Sequence, residues 1–242
     1  MRSGRVPIKG LIETSFVDWR GWLSAVLFMG GCNFRCPFCH NRDLVENAGS
    51  LPTIPLRTVL ARLGTQKDWV DRVVVTGGEP TIHRGLPDTM KSLKDADFRV
   101  KLNTNGSNPG MVRDLVEHGL VDYVAMDVKG PLLNYYQWCG VSADVGKIRK
   151  TISFLMKAEV PYEFRMTVVP FLHGAEDVYG VAETLKQADL FTNSRRMPRP
   201  VGGDECERGG KEGVKPHPCS HPAYPISAGE RNHRTSQQME LF

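Results

Sequence analysis

The sequence predicts an α/β protein built on a parallel sheet, and two features support this prediction. From Leu23 onward, short apolar runs alternate with longer amphipathic stretches, the order typical of strand–helix units. Each unusual polar motif directly follows one of the apolar runs, and binding sites of parallel α/β folds lie at such strand ends. The pattern alone is compatible with an open doubly wound sheet or with a partial barrel.

The predicted strands are short and rich in β-branched residues. The first, with the sequence SAVLFM, ends at Gly30-Gly31, and the second, RVVVT, ends at Gly77-Gly78. Such glycine pairs interrupt extended structure. Five strands are predicted: Ser24–Met29, Arg72–Thr76, Phe98–Leu102, Val121–Met126 and Tyr162–Val169.

The intervening stretches show helical periodicity. The first carries apolar residues at positions 56, 59, 60 and 63, which fall on one helical face. Pro109 stands where it would occupy the first turn of a helix, a position that tolerates proline. Five helices are predicted: Pro55–Leu63, Leu86–Lys94, Pro109–His118, Val145–Met156 and Ala175–Ala188.

The last fifty residues have a different composition. Between positions 193 and 242 there are six prolines and six glycines, but only six residues from the set Val, Ile, Leu, Phe, Tyr and Trp. Such a segment can bury little apolar surface. We therefore predict one domain over residues 1–191 and an irregular, disordered or divergent tail over residues 192–242.

The overall composition is that of a soluble protein with one core. The chain has 242 residues, 40% of them hydrophobic, and a net charge of +4. The longest apolar stretch, Leu23–Met29, is too short to span a membrane, and Met1 begins no secretion signal, so a cytoplasmic location is expected. The basic residues are dispersed and show no aromatic–basic platform, which argues against nucleic-acid binding.

Three of the six cysteines, Cys32, Cys36 and Cys39, lie within eight residues. A C-x3-C-x2-C run can supply three thiolates to an iron–sulfur cube, leaving one iron open to another ligand. A structural zinc site that adds His40, or plain buried thiols, are the alternatives. Zinc sites usually draw their ligands from two separated pairs, and no second pair lies in the predicted domain.

Polar motifs follow the next two predicted strands. In the Gly77-Gly78-Glu79-Pro80 motif, the glycines would let the backbone approach a ligand, and Glu79 could accept a hydrogen bond from an ammonium group. The alternative is a Gly-Gly turn closed by proline. The motif Asn103-Thr104-Asn105-Gly106 is either a second part of a site or a simple Asn-Gly turn.

Charged side chains mark the last two predicted strands. Asp127 and Lys129 alternate, so on an extended strand both point to one face; a surface ion pair is the alternative. Arg165 lies inside an apolar strand and needs a partner, which a bound carboxylate would provide. His173 follows the same strand and is interpreted as a solvated loop residue; a contact with the site is the alternative.

The remaining candidates carry weaker signals. We interpret the aromatic residues Tyr135, Tyr136 and Trp138 as packing residues and Cys139 as a thiol without a role in the site. The tail has residue types that could bind zinc, but no predicted fold supports them: Cys206, His217, Cys219 and His221.

The cysteine run, with Phe38 as its aromatic residue, resembles the C-x3-C-x-aromatic-C motif of the radical S-adenosylmethionine (SAM) enzymes. This resemblance implies that Cys32, Cys36 and Cys39 hold a [4Fe–4S] cluster whose fourth iron is chelated by SAM. In that family, reductive cleavage of SAM yields a 5′-deoxyadenosyl radical. The resemblance also implies a partial (β/α)6 barrel of the TIM type, with a sixth strand beginning near Leu190 and an irregular C-terminal end.

The other motifs resemble the SAM-binding positions of the same family. The Gly77-Gly78-Glu79-Pro80 stretch resembles the GGEP motif that holds the SAM amino group. Asn103 stands where the glycyl-radical activating enzymes often have an aspartate that can contribute to an alkali-cation site; the amide keeps a carbonyl ligand but loses the charge. The SAM-site residues that the resemblance implies are Phe38, Gly77, Gly78, Glu79, Asn103, Asp127, Lys129 and Arg165.

Within that family, the segments 9–18 and 29–41 resemble the activating proteins of anaerobic ribonucleoside-triphosphate reductase. Pyruvate formate-lyase activating enzymes are related and share the cysteine spacing. The resemblance implies a glycyl-radical enzyme as partner and a flavodoxin- or ferredoxin-type electron donor. A radical tailoring enzyme with another substrate and a non-catalytic iron–sulfur carrier or sensor are the alternatives.

Overall fold

The computed structural model describes residues 6–186 and 188, together with the backbone of residues 191–195. Within this part of the chain, seven strands form one sheet in chain order, β1 to β7. The strands are β1 (Ile8–Ser15), β2 (Ser24–Met29), β3 (Arg72–Gly77), β4 (Arg99–Thr104), β5 (Tyr123–Asp127), β6 (Tyr162–Val168) and β7 (Phe191–Arg195).

The strand order identifies a partial barrel. β1 pairs with β2 in the antiparallel sense, whereas β2 to β7 are parallel to one another. A doubly wound sheet reverses its strand order at a switch point, and this sheet does not. The six parallel strands confirm the expected partial (β/α)6 arrangement, and the sheet is not closed because β1 and β7 form its two edges.

Helices connect the parallel strands, as the apolar periodicity predicts. The five long ones are α2 (Leu56–Gly64), α3 (Leu86–Asp95), α4 (Pro109–Glu117), α6 (Val145–Leu155) and α7 (Ala175–Thr184). Two short helices, α1 (Arg42–Glu46) and α5 (Tyr136–Cys139), and a 3-10 turn, Pro80–Ile82, lie in the connections that follow β2, β5 and β3. None of the described helices is long and apolar enough to cross a membrane.

Several features differ from the sequence prediction. β1 and the short helices were not predicted, and α7 ends four residues before Ala188. The predicted boundary between residues 191 and 192 falls inside β7, which continues to Arg195. Polar residues can extend this strand because its backbone pairs with β6, from Phe164↔Phe191 to Val168↔Arg195. The remainder of the predicted tail lies outside the described residues.

The main core lies between the helices and one face of the sheet. Fully buried side chains of alternate strand residues, such as Leu27, Val75, Leu102, Met126 and Phe164, pack there. Burial of each such side chain stabilises the fold by roughly 1.5–3 kcal/mol. This packing fixes the register of the strands and therefore places all their carboxyl ends along one edge.

The opposite face of the sheet carries a smaller apolar cluster and several charged residues. Trp19, from the loop that follows β1, packs on Val26 and Val74. The carbonyl of Asp18 in the same loop accepts a hydrogen bond from the ammonium of Lys101 at 3.0 Å. The loop therefore covers this face near the amino ends of the strands and leaves their carboxyl ends accessible.

Candidate functional site

A cavity of about 180 Å³ opens at the carboxyl ends of the parallel strands. It brings together the residues that the sequence singled out at four separate strand ends. The predicted residues that line it are Cys32, Cys36, Phe38, Cys39, Gly77, Gly78, Glu79, Asn103, Asp127 and Lys129. Arg165 is not in the cavity wall and reaches the site through Asp127.

The three cysteines lie on the loop of residues 30–41, which follows β2 and is called the cysteine loop below. The amide of Cys39 donates to the carbonyl of Cys36 at 3.0 Å, and the amide of Phe34 donates to the sulfur of Cys32 at 3.3 Å. Burial raises the pKa of Cys32 and of Cys36 to about 11. Because metals bind thiolates, a metal or cluster has to displace protons from these thiols.

Neighbouring loops hold the cysteine loop in place. The side-chain amide of Asn41 donates to the carbonyl of Gly77 at 3.0 Å. On the other side, the amide of Arg35 donates to the carbonyl of Cys139, in α5, at 2.8 Å. The side-chain amide of Asn105 donates to Asn33 Oδ1 at 3.0 Å. These asparagines were not assigned a role from sequence, since asparagine is common in any loop.

The two glycines after β3 let two loops approach each other. A Cβ on Gly78 would lie 1.8 Å from the carbonyl oxygen of Gly31. Gly77 has φ of +120°, and a Cβ there would lie 2.3 Å from the amide nitrogen of Met29. The sequence prediction assigned these glycines to ligand approach. They do line the cavity, but glycine is required at both positions chiefly because the backbone at the end of β2 lies against the backbone at the end of β3.

Glu79, the predicted acceptor for a ligand ammonium group, lines the cavity and also binds donors of the protein. Its side chain is 1% exposed, and Oε1 accepts from the amide and hydroxyl of Thr81 at 3.1 and 2.5 Å. Oε1 also accepts from Thr104 Oγ1 at 2.7 Å, and Oε2 from the amide of Asn105 at 2.6 Å. Burial raises the pKa of Glu79, and these hydrogen bonds oppose the rise. The carboxylate thus joins the ends of β3 and β4.

Asp127, Lys129 and Arg165 form one ionic group at the cavity. Asp127 Oδ1 accepts from Arg165 Nε at 3.0 Å, and Oδ2 accepts from Lys129 Nζ at 3.1 Å. Burial acts to raise the pKa of Asp127, but the two cations more than offset it and lower that pKa. Asp127 and Lys129 share one side, as the alternation predicts, and the ion pair is partly buried instead of lying on the open surface. Asp127 is the protein partner of Arg165 Nε.

Asn103 offers an unused acceptor to the cavity. Its Oδ1 is buried and has no hydrogen-bond partner among the described residues. A buried carbonyl without a partner costs about 1–3 kcal/mol. A ligand with a polar hydrogen in the cavity would remove that cost.

Two of the three aromatic residues after β5 are buried as the packing prediction requires, whereas Tyr136 and His173 depart from their predictions. Tyr135 and Trp138 are buried, and Tyr136 is exposed. Cys139 is buried and donates to the carbonyl of Val141 at 3.1 Å. His173 is only 8% exposed and packs against Phe38 and Trp138, so it is not a solvated loop residue. Its loop position alone gave no signal of this burial.

Among the described residues, no three His, Cys, Asp or Glu side chains lie close enough together to hold a single metal ion. A four-iron cluster is larger than one ion and takes one thiolate at each of several irons, so its ligands stand further apart. The tail residues Cys206, His217, Cys219 and His221 lie outside the described residues.

Comparison with known proteins assigns the family. The model of the family described as "Radical SAM superfamily" matches residues 26–185, well over half of the chain. The chain belongs to the radical SAM superfamily. Its cofactors are accordingly a [4Fe–4S] cluster and SAM.

Two relatives cover most of the radical SAM protein described here. The "Putative glycyl-radical enzyme activating enzyme MJ1227" of Methanocaldococcus jannaschii is 30% identical over 207 residues, covering 83% of this chain and 84% of the relative. The pyruvate formate-lyase-activating enzyme of Clostridium pasteurianum is 29% identical over 199 residues, 78% of each chain. The homology therefore reaches beyond the shared cysteine motif.

Solved radical SAM structures share the fold at low identity. SuiB of Streptococcus suis superposes with a TM-score of 0.54 at 17% identity, over 72% of this chain and 39% of SuiB. A structure of tagged anSMEcpe with bound AdoMet gives a TM-score of 0.52 at 20% identity, over 69% of this chain and 48% of that one. This chain thus spans less than half the length of either neighbour, and the likeness concerns the fold alone.

The residues in the cavity fit the two cofactors of the family. Three thiols come from one loop, and the fourth described cysteine, Cys139, is not in the cavity wall. The unpartnered Oδ1 of Asn103 and the ammonium of Lys129 offer an acceptor and a donor to a polar ligand. The donor set therefore suits a cluster that is open at one iron, beside a zwitterionic ligand.

Proposed function

We propose that this protein is a radical SAM activase that generates a glycyl radical on a partner enzyme, namely anaerobic ribonucleoside-triphosphate reductase. The observation that carries the proposal is the joining, in one cavity, of three cysteine thiols with the polar ends of β3, β4 and β5. An iron–sulfur carrier has no need of those strand ends. The two relatives that cover most of the chain, an activating enzyme of formate-lyase type among them, support the activase assignment.

In this proposal, Cys32, Cys36 and Cys39 hold the cluster. When bound, the cluster and SAM supply an electron and a 5′-deoxyadenosyl radical that removes a hydrogen atom from the partner's glycine. Removal of a hydrogen atom requires no protein acid or base, so the other residues bind, orient and exclude water. A flavodoxin- or ferredoxin-type protein is the proposed electron donor.

The ionic group suits the amino-acid part of SAM. Lys129 and Arg165 carry two positive charges against the single negative charge of Asp127, so the group as a whole favours a carboxylate. Asn103 Oδ1 and the backbone of Gly77-Gly78 are the proposed acceptors for the polar hydrogens of SAM. Glu79 holds the β3 and β4 ends together, and its Oε2, to which the amide of Asn105 donates, keeps acceptor capacity for the SAM ammonium group.

The end of the sheet at which the cavity opens suits a polypeptide substrate. The connections that follow β5 and β6 expose Leu133, Tyr136 and Phe171 to solvent. Phe171 is fully exposed and adopts a φ of +68°, unusual for a bulky residue. Exposed apolar groups are typical of protein interaction sites, and because these lie in connections at the carboxyl ends of the strands, a partner enzyme would contact them when its glycine enters.

The test is radical formation on purified partners under anaerobic conditions. Reduced, reconstituted protein is mixed with SAM and either an anaerobic ribonucleotide reductase or a formate-lyase-type enzyme. A glycyl-radical signal in electron paramagnetic resonance (EPR) is then measured. The proposal predicts a signal with the reductase, none with Cys36→Ala, and a normal signal with Cys139→Ala, which removes a buried thiol outside the cavity.

Other outcomes contradict the proposal at different levels. A signal on the formate-lyase-type enzyme alone keeps the activase but changes its partner. Cleavage of SAM without a radical on either protein favours a tailoring enzyme. A cluster without cleavage favours a carrier or sensor.

A further inference from the structure

His173 makes defined contacts through both of its ring nitrogens. It lies in the connection between β6 and α7 and is 8% exposed. The amide of Val169 donates to Nδ1 at 3.1 Å, and Nε2 lies 2.9 Å from the carbonyl oxygen of Lys129. An amide N–H can only donate, so Nδ1 bears no hydrogen. The Nε2–H must therefore be the group that donates to Lys129, which fixes the neutral Nε2–H tautomer.

The faces and edge of the same ring contact two aromatic residues. The imidazole stacks on Trp138, with ring centroids 4.4 Å apart and an interplanar angle of 15°. Phe38 meets it edge-on, with centroids 5.5 Å apart at 72°. Phe38 lies between Cys36 and Cys39, so one side chain joins the cysteine loop to the connections that follow β5 and β6.

The hydrogen bond from His173 means that both the amide and the carbonyl of the Lys129 backbone have a partner. The amide of Lys129 donates to the hydroxyl of buried Tyr135 at 3.0 Å, and its carbonyl accepts from His173. With both polar groups of the residue bound, the side chain leaves the backbone in a set direction. Its ammonium is thereby kept in the cavity wall, 3.1 Å from Asp127.

We propose that His173 is a positioning residue that sets the affinity for SAM by holding the backbone of Lys129. The inference rests on the proposed function insofar as Lys129 is assigned to the SAM site. We attribute the effect on SAM affinity to the hydrogen bond from Nε2 to the Lys129 carbonyl, because this bond is the direct contact with Lys129. The packing of the ring on Trp138 and Phe38 does not touch Lys129. Three substitutions separate the two contributions.

Each substitution removes a different part of the histidine's contacts. His173→Phe keeps a ring against Trp138 and Phe38 but removes both hydrogen bonds. His173→Gln puts an amide N–H near the place of Nε2 and can restore the bond to Lys129. His173→Asn can accept from Val169 but is too short to reach Lys129, so it differs from the glutamine variant by one methylene group and by this bond.

The experiment uses the full chain, reconstituted anaerobically with iron and sulfide, without any partner enzyme. Iron content, the dissociation constant for SAM and the change that SAM causes in the EPR spectrum of the reduced cluster are measured. We expect normal iron content in all variants and SAM affinity weakened roughly 10-fold in His173→Phe and His173→Asn. His173→Gln is expected to recover affinity and the spectral change, although it lacks the ring.

The opposite pattern overturns the inference. If His173→Phe binds SAM like wild type, or if the glutamine and asparagine variants are equally impaired, the link to Lys129 does not set affinity. If His173→Phe fails to fold, the glutamine and asparagine pair still decides, because both lack the ring. Wild-type protein that binds no SAM contradicts the proposed function as well, whereas a normal His173→Phe contradicts only the role of His173.

Discussion

Asp127 and Arg165 face each other across the β5–β6 pair, with Arg165 Nε 3.0 Å from Asp127 Oδ1. They are direct register partners, so the pairing of the two strands itself creates the ion pair. Lys129 binds the second oxygen of the same carboxylate. One carboxylate thus orients two cations beside the cavity and leaves the group with a net positive charge.

Asp127→Asn should weaken SAM binding by roughly 10-fold or more, the usual cost of losing a contact that orients a binding group. Without the carboxylate, Lys129 and Arg165 repel each other and lose their fixed positions. Isothermal titration of SAM into the reconstituted variant measures the effect. Asp95→Asn is the control, because it removes a carboxylate from an exposed pair with Lys91; equal affinity in the two variants would contradict the role of Asp127.

The ion pair should also leave a signature in the pH dependence of stability. Because the pKa of Asp127 is lowered in the folded state, its ionisation stabilises the fold fully above the unfolded-state pKa of about 3.9. This stabilisation is lost as pH falls through the lower folded-state pKa. Urea unfolding from pH 7 to pH 3 should show wild type and Asp127→Asn converging on acidification. A gap that widens below pH 4 would speak against the ion pair.

Lys101 and Glu163 form a more deeply buried pair on the same face of the sheet, 2.9 Å apart and 4% and 12% exposed. Lys101→Met leaves Glu163 without its partner and should lower the free energy of unfolding by about 3–5 kcal/mol. The double variant Lys101→Met, Glu163→Leu should regain most of that loss, because no charge remains buried alone. Lys91→Met, at an exposed pair, is expected to cost less than about 1 kcal/mol.

Denaturant unfolding of the four proteins measures these differences. A single Lys101→Met variant as stable as wild type would show that Glu163 is solvated or otherwise paired. A double variant as unstable as the single one would show that packing, and not charge, accounts for the loss.

The parallel core was predictable from sequence because it depends on apolar periodicity. Each of the five predicted strands and five predicted helices is present, and the motif positions at strand ends lie around one cavity. β1 was not predicted because Ile8–Ser15 contains a glycine and ends in the polar residues Glu13, Thr14 and Ser15. The predicted domain ends at residue 191 and so leaves out most of β7, because the polar residues of this strand pair through their backbone and composition does not reveal such pairing.

Which side chains of the site pair with one another was less predictable from the sequence than where the site lies. The sequence predicts Glu79 as a ligand contact, but it does not show that the turn after Glu79 folds back and brings Thr81 to the same carboxylate. Arg165 requires a counter-charge, but only strand register shows that Asp127 supplies it. The contacts of His173 join three connections that are distant in sequence, so no local pattern indicates them.

Phe171→Asp should reduce activation of the partner enzyme without changing SAM cleavage in its absence. The side chain is fully exposed in the connection between β6 and α7, at the end of the sheet where the cavity opens, so a charge there would disturb docking but not folding. Trp69→Asp is the matched control, since Trp69 is an exposed aromatic in the connection before β3, at the opposite end of the strands. Glycyl-radical yield and 5′-deoxyadenosine yield are compared; parallel loss of both in Phe171→Asp would mean damage to the site itself.

Reductive cleavage of SAM is the most direct test of the central claim. Protein reconstituted with iron and sulfide is reduced, mixed with SAM and assayed for 5′-deoxyadenosine and methionine, with Cys36→Ala and Cys139→Ala in parallel. We expect a four-iron signal, 5′-deoxyadenosine and methionine for wild type and for Cys139→Ala. For Cys36→Ala we expect no four-iron signal and no product. Stoichiometric zinc in place of iron, or products that survive Cys36→Ala, would contradict the claim.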